Sequence, residues 1–167
     1  MIRIVIAEDQ EMILGVIGSL LNLEEDMEVV GHAKNGREAI TLVQRLQPDL
    51  CMMDIDMPEM NGLDAAHVLR TEKCKVIILT TFAKKGNTER LLNAGVKGYF
   101  LKDSPSEELV SAIRSIMNGT QIYAQELLEE NNAMDILIHD LPAKRNTVTK
   151  IRNYFTTIVD KIKQPTG

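Results

Sequence analysis

The chain predicts a parallel, doubly wound α/β sheet of five strands followed by a small helical tail. Three observations carry this expectation. Through about residue 119, five segments that read as strands alternate with five whose apolar residues recur at helical spacing. The first strand, residues 2–7 (IRIVIA), is apolar and β-branched on both faces, as strands covered by helices on both sides are. Four strands run into polar groups: Glu8-Asp9, Asp54, Thr80 and Lys102. In a parallel sheet the carboxyl ends share one edge, so these groups converge on a single crevice, with Asp54 at its centre.

Taken in order, the first strand leads to an amphipathic helix over residues 10–22, marked by Met12, Ile13, Val16, Ile17, Leu20 and Leu21. Met27–Gly31 reads as the second strand. Asn35-Gly36 signals a turn, after which Ala39, Ile40, Val43 and Leu46 define a helix that stops before Pro48. Asp49–Asp54 is the third strand, and a loop through Pro58 and Gly62 enters a short helix carrying Leu63, Ala66 and Leu69. Lys75–Thr80 is the fourth strand. The helix over Thr88–Ala94 has a thin apolar face, mostly Leu91 and Leu92, with Gly95 as its end signal. Gly98–Lys102 is the fifth strand. Ser104-Pro105-Ser106-Glu107 reads as a helix start with Ser104 as N-cap and Pro105 in the first turn, and Leu109, Ile113 and Ile116 carry that helix to Asn118-Gly119.

Beyond Gly119 the pattern changes. Residues 120–132 read as a linker, helical over 120–130, and residues 133–167 as a small helical tail. There Met134, Leu137, Ile138 and Leu141 fit a short helix broken by Pro142, and Val148, Ile151, Phe155, Ile158 and Ile162 fit a longer one.

With 167 residues and 44% hydrophobic content, the chain can bury a core, and no apolar run approaches a membrane span. The amino-terminal residues lack the layout of a secretory signal, so the expectation is a soluble, cytoplasmic protein without a membrane partner. Cys51 and Cys74 form no metal-binding pattern and read as buried reduced thiols. His32, His67 and His139 are scattered and read as surface or partly buried residues; the sequon at Asn118 carries no meaning in a cytosolic chain. The net charge of −5 hides an asymmetry: residues 1–130 hold 13 Lys/Arg against 21 Asp/Glu, whereas residues 131–167 hold 6 against 3. The acidic part can hold a cation and the basic part can touch an acid.

At the crevice, Asp54 is placed as a carboxylate nucleophile for phosphoryl transfer. An anion must then approach an anionic phosphate, and a hard divalent cation relieves that repulsion. Mg²⁺ suits, with Glu8, Asp9, Asp54 and the main-chain carbonyl of Asp56 as oxygen ligands. Lys102 supplies a positive charge to the phosphate, and the Thr80 hydroxyl can donate a hydrogen bond to it. Each group alone has a plainer reading. Glu8-Asp9 can be solvated helix starters near the positive end of a dipole, Lys102 a surface lysine and Thr80 an ordinary strand residue. Their convergence at one sheet edge favours the site.

The set Glu8-Asp9, Asp54-Ile55-Asp56-Met57-Pro58, Asn61-Gly62, Thr80 and Lys102 resembles the receiver domain of bacterial two-component response regulators, over residues 1–119. Lys102-Asp103, without the proline common after that lysine, and Leu79-Thr80-Thr81-Phe82 resemble the NarL/LuxR branch. Within it, Ala7-Glu8-Asp9-Gln10 and Leu23–Met27 are similar to DesR-like regulators. The resemblance implies a flavodoxin-like fold with Asp54 as phosphoacceptor, the Mg²⁺ site named above, and Thr80 and Tyr99 as a switch pair. It implies no enzyme activity beyond the chain's own phosphorylation and dephosphorylation, a sensor histidine kinase as phosphoryl donor, and a homodimer through Met12–Leu21 and Leu109–Met117. In the implied switch, Thr80 moves toward the phosphoryl group and Tyr99 turns into the space it leaves. The plainer reading of the two helical stripes is that they face the sheet.

In the tail the resemblance thins. Only 37 residues follow Glu130, fewer than the four-helix DNA-binding module of that branch spans, and the scaffold helix with its Leu-Thr-x-Arg-Glu pattern is absent. Two registers for a recognition helix compete, one through Asp135-Ile136, Leu141 and Thr147-Val148, the other through Ile151–Tyr154 to Lys161-Ile162. Lys144, Arg145, Lys150 and Arg152 can contact DNA phosphates or form a solvated face. The expected function is a phosphorylation-activated response regulator controlling transcription through DNA binding. A receiver acting by protein contact or as a phosphoryl sink is the alternative. A Mg²⁺-dependent phosphatase or mutase using Asp54 and Asp56 is a third reading, without the cap domain such enzymes carry.

Overall fold

A computed structural model describes residues 1–81 and 87–123. Within them the order is β1 (Ile2–Ala7), α1 (Glu11–Asn22), β2 (Met27–Ala33), α2 (Gly36–Leu46), β3 (Leu50–Met53), α3 (Gly62–Leu69), β4 (Lys75–Thr80), α4 (Asn87–Asn93), β5 (Gly98–Leu101), α5 (Ser106–Met117) and β6 (Ile122–Tyr123). The sheet order is β2-β1-β3-β4-β5-β6, and every pairing is parallel. The expectation of a doubly wound parallel sheet holds. It has six strands rather than five, because residues 122–123, read from sequence as helical linker, pair with β5. The expected tail at 133–167 lies outside the described residues.

Alternation along each strand sorts the core into two layers. Ile4, Ile6, Leu50, Met52, Ile77, Leu79 and Phe100 face α1 and α5, packing with Leu14, Ile17, Leu21, Leu109, Ile113 and Ile116. Val5, Ala7, Cys51, Met53, Val76, Ile78 and Tyr99 face the other side, with Ala39, Val43, Leu63, Leu69 and Leu91 from α2, α3 and α4. Burying a Leu or Ile side chain contributes about 1.5–3 kcal/mol relative to leaving it in water, so both faces must be covered. This is why the central strands read as continuous apolar runs rather than alternating ones. Both cysteines are buried free thiols. Burial pushes the Cys74 thiol up to about 12.

Helix boundaries follow local chemistry, with two departures from expectation. Asn35 is not merely part of a turn: its side chain accepts from the Glu38 amide at 2.9 Å and caps α2. Asn61 caps α3 in the same way through Asp64. Ser104, expected to cap α5, does not. The cap position falls one residue later, at Pro105, with no side-chain bond. Ser104 instead closes a turn, donating its amide to the Leu101 carbonyl at 3.0 Å.

The β3–α3 loop is held against the sheet by backbone contacts. The Gly62 amide donates to the Ile55 carbonyl at 2.9 Å, and the Gly36 amide to the Met60 carbonyl at 2.9 Å. A Cβ on Gly62 would lie 2.0 Å from the carbonyl oxygen of Asp54, inside van der Waals contact with rigid backbone. Gly62→Ala should therefore lower stability by about 1–3 kcal/mol, as overpacking typically does. Urea unfolding followed by circular dichroism checks this, and an unchanged midpoint would contradict it.

Candidate functional site

Because strand order reverses around β1, the chain leaves β1 toward β2 on one side while β3 lies on the other, and a crevice opens at the carboxyl ends of β1 and β3. Glu8 and Asp9 follow directly on β1, and Asp54 directly on β3. The ladder continues one residue past each strand: the Glu8 amide donates to the Ala33 carbonyl at 2.9 Å and the Asp54 amide to the Ala7 carbonyl at 3.0 Å. Backbone pairing thus fixes where both carboxylates emerge.

Lys102 follows β5, and its amide donates to the Thr80 carbonyl at 2.7 Å, tying the ends of β4 and β5 together. Its ammonium donates to Asp54 Oδ2 at 3.0 Å and pairs in still closer contact with Glu8 Oε2. The three side chains are buried, at 6% exposure for Lys102, 7% for Asp54 and 2% for Glu8. Burial raises the pKa of Glu8 against the opposing pull of Lys102. Burial also works against the Lys102 ammonium, but Glu8 and Asp54 outweigh it and its pKa is raised. Two carboxylates sharing one ammonium leave a net negative pocket.

One carboxylate oxygen each from Glu8, Asp9 and Asp54 lies within 4.8 Å of the others, with Asp9 exposed and the other two buried. An all-oxygen donor set with one side open to water fits a hard divalent cation that keeps part of its hydration shell. Asp56 lies on the exposed loop beyond Asp54.

Thr80 ends β4 at 2% exposure, and Tyr99 sits in β5 opposite Ile78, fully buried. The inward turn of Tyr99 expected from sequence thus starts from a ring already inside. Glu8, Asp9, Asp54 and Lys102 are brought together; Thr80 is joined to them through the backbone of Lys102, and Tyr99 lies in the buried layer shared with α2, α3 and α4. Lys144, Arg145, Lys150 and Arg152 lie outside the described residues. Sequence reasoning missed the close approach of Gly62 to the Asp54 carbonyl and the pairing of Tyr123 beside Tyr99. The first had a signal in Asn61-Gly62; the second, a single Ile-Tyr pair, had none.

The two helical stripes divide between readings. Leu14, Ile17 and Leu21 of α1 and Leu109, Ile113 and Ile116 of α5 face the sheet. Met12, at 61% exposure, and Leu23, at 82%, remain outside and flank a groove of about 680 Å³ between α1 and α5, also lined by Val16, Leu20 and Val110. No helix among the described residues is long and apolar enough to cross a membrane.

Known proteins share this fold. Residues 4–114 match the response regulator receiver domain family. The chain is 49% identical to the transcriptional regulatory protein DesR of Bacillus subtilis (strain 168), over 98% of this chain and 91% of DesR. It is 42% identical to the transcriptional regulatory protein YvfU of the same organism, over 97% of this chain and 91% of that protein. Among solved structures, a DNA-binding response regulator of the LuxR family from Staphylococcus aureus superposes with TM-score 0.67 at 35% identity, covering 71% of this chain and all of that one. The receiver domain of NarL from Mycobacterium tuberculosis gives TM-score 0.67 at 28% identity, over 71% of this chain and 97% of that one. On these matches the chain belongs to the response regulator receiver family and is a response regulator of a two-component system.

Proposed function

We propose that Asp54 accepts a phosphoryl group from a sensor histidine kinase and that the modified protein controls transcription by binding DNA. The observation that carries the first half is the buried Glu8–Lys102–Asp54 arrangement beside an exposed Asp9. The Asp54 carboxylate attacks the phosphorus of the donor phosphohistidine, and the P–N bond breaks as the acyl phosphate forms. Glu8, Asp9, Asp54 and the Asp56 carbonyl would hold Mg²⁺, which when bound offsets the negative charge of carboxylates and phosphoryl oxygens. Lys102 stays within reach of Asp54 and donates to a phosphoryl oxygen, exchanging one anionic partner for another. Thr80 donates its hydroxyl to a second oxygen. Because Tyr99 is already interior, its response is a shift within the core against the thin α4, not an entry from solvent.

Similarity to DesR along 98% of the chain supports the DNA-binding half. The α1/α5 groove, with its exposed Met12 and Leu23, supports a homodimer on that face. One observation favours a second reading, in which the receiver acts by protein contact or as a phosphoryl sink. The DesR alignment runs over 184 positions although the chain has 167 residues, so DesR contains segments with no counterpart here. The sequence after Glu130 also lacks the scaffold helix of a DNA-binding module.

Retention of fragmented genomic DNA by the full-length protein at near-physiological salt separates these readings. The expected result is retention that rises on treatment with a small acyl phosphate and Mg²⁺, and that is lost in Asp54→Asn and on truncation after Glu130. Normal phosphorylation with no DNA retained in any state would overturn the DNA-binding half and leave the protein-contact reading. Thr80→Ala should take up phosphoryl within about threefold of the wild-type rate, yet lose most of the phosphorylation-dependent change in DNA retention or dimer fraction, since only the readout hydrogen bond is removed. An undiminished response in that variant would remove Thr80 from the switch.

A further inference from the structure

The chain leaves the receiver through a segment that is itself part of the sheet. After α5, Gly119 adopts φ +98 and turns the backbone back, and Ile122–Tyr123 run parallel to β5. The Ile122 amide donates to the Lys97 carbonyl at 3.0 Å, and Tyr123 pairs in register with Tyr99. The Tyr123 hydroxyl donates to the Val96 carbonyl at 2.6 Å in a buried bond spanning 27 residues of sequence. Its ring, 7% exposed, packs in the same layer as Leu91, Ala94, Val96 and Tyr99, while Ile122 packs into the opposite layer. Two residues thus grip both faces of the sheet and the α4–β5 corner.

Among the described residues, backbone bonds also hold that corner: the Lys97 amide donates to the Val76 carbonyl at 2.8 Å and the Ala94 amide to the Arg90 carbonyl at 2.9 Å, with Ala94 and Val96 buried. The seven-residue α4 places Leu91 in the core and Leu92 partly against it, and its Arg90 pairs with Asp64 on α3 at 2.9 Å with both side chains more than half exposed. An exposed pair of this kind contributes little. The buried hydrogen bond from Tyr123 to Val96, the first residue after Gly95, ties this corner directly to β6.

We propose that Ile122–Tyr123 is a latch coupling the α4–β5 corner to the point where the C-terminal segment departs. The latch is closed in the arrangement described, with Lys102 on Asp54, and opens when phosphorylation shifts Tyr99 and the corner. The opening step rests on the phosphorylation reading above; the mechanical link does not. A plainer role, in which β6 only completes the sheet edge, predicts no coupling between Tyr123 and α4.

Amide hydrogen exchange by NMR on the full chain tests this, with the β3 amides of residues 50–53 as internal reference. Tyr123→Phe keeps the ring and removes one donor. It should accelerate exchange about fivefold at Ile122 and also at Gly95 and Val96, whose amides bond within the corner at 3.1 and 3.3 Å, while β3 is unchanged. Acceleration at Ile122 alone, or uniform acceleration that includes β3, would overturn the link. In wild-type protein carrying phosphoryl on Asp54, Ile122 should exchange faster than in the unmodified protein, and unchanged exchange there would overturn the opening step. If wild-type protein takes no phosphoryl group, the functional reading fails and the opening step with it, while the Tyr123→Phe comparison still decides the link.

Discussion

A buried ammonium shared by two buried carboxylates is the interaction on which the rest of this structure depends. Three charges at 2–7% exposure have lost most of their hydration, and only mutual pairing makes their burial tolerable. Removing one partner from such a cluster typically costs about 3–5 kcal/mol, because the remaining charge is left without compensation. Here the compensation is incomplete, since Lys102 faces Glu8 and Asp54 together, with Asp9 at the rim. A pocket left net negative attracts a cation. It also gives the lysine a choice of anions, and on the proposed reading a phosphoryl group on Asp54 redistributes that choice of partners.

The fold exists to hold those charges in place. Parallel pairing continues one residue beyond β1 and β3, so Glu8 and Asp54 leave the sheet from backbone already hydrogen-bonded. The Lys102 amide on the Thr80 carbonyl does the same for the far side of the crevice. Beneath Asp54, the loop to α3 is so close that only glycine fits at 62. Two apolar layers lock the sheet between α1 and α5 on one face and α2, α3 and α4 on the other. Of these helices, the seven-residue α4 contributes Leu91 to the layer that also holds Tyr99 and Tyr123.

Much of this was legible in the sequence because long-range order here has short-range signatures. Apolar runs with β-branched residues gave Ile2–Ala7 and Lys75–Thr80 with the boundaries observed, and helical spacing gave α1 to within one residue. The convergence of Glu8, Asp54, Thr80 and Lys102 on one edge was legible because each ends a strand or directly follows one. What was not legible depended on contacts between distant parts of the chain. Ile122–Tyr123 is too short to carry a period, and becomes a strand only because β5 offers an open edge and Val96 an acceptor. Ser104 has the composition of an N-cap, yet a turn onto Leu101 competes for its backbone and moves the cap to Pro105. The division of the α1 stripe, with Leu14, Ile17 and Leu21 inward and Met12 and Leu23 outward, needs the path of the neighbouring α5 as well as the pattern itself.

The most direct measurement is phosphoryl uptake from a small acyl phosphate, followed by intact mass and by peptide mapping of the modified position, with Mg²⁺ and with a chelator in its place. One phosphoryl group per chain is expected, on Asp54, labile to alkali, and formed only with the divalent cation. Lys102→Ala should slow uptake by about tenfold or more, through loss of one charge-assisted contact to the phosphoryl oxygens. Uptake at another residue, or uptake at Asp54 that is indifferent to the cation, would contradict the account.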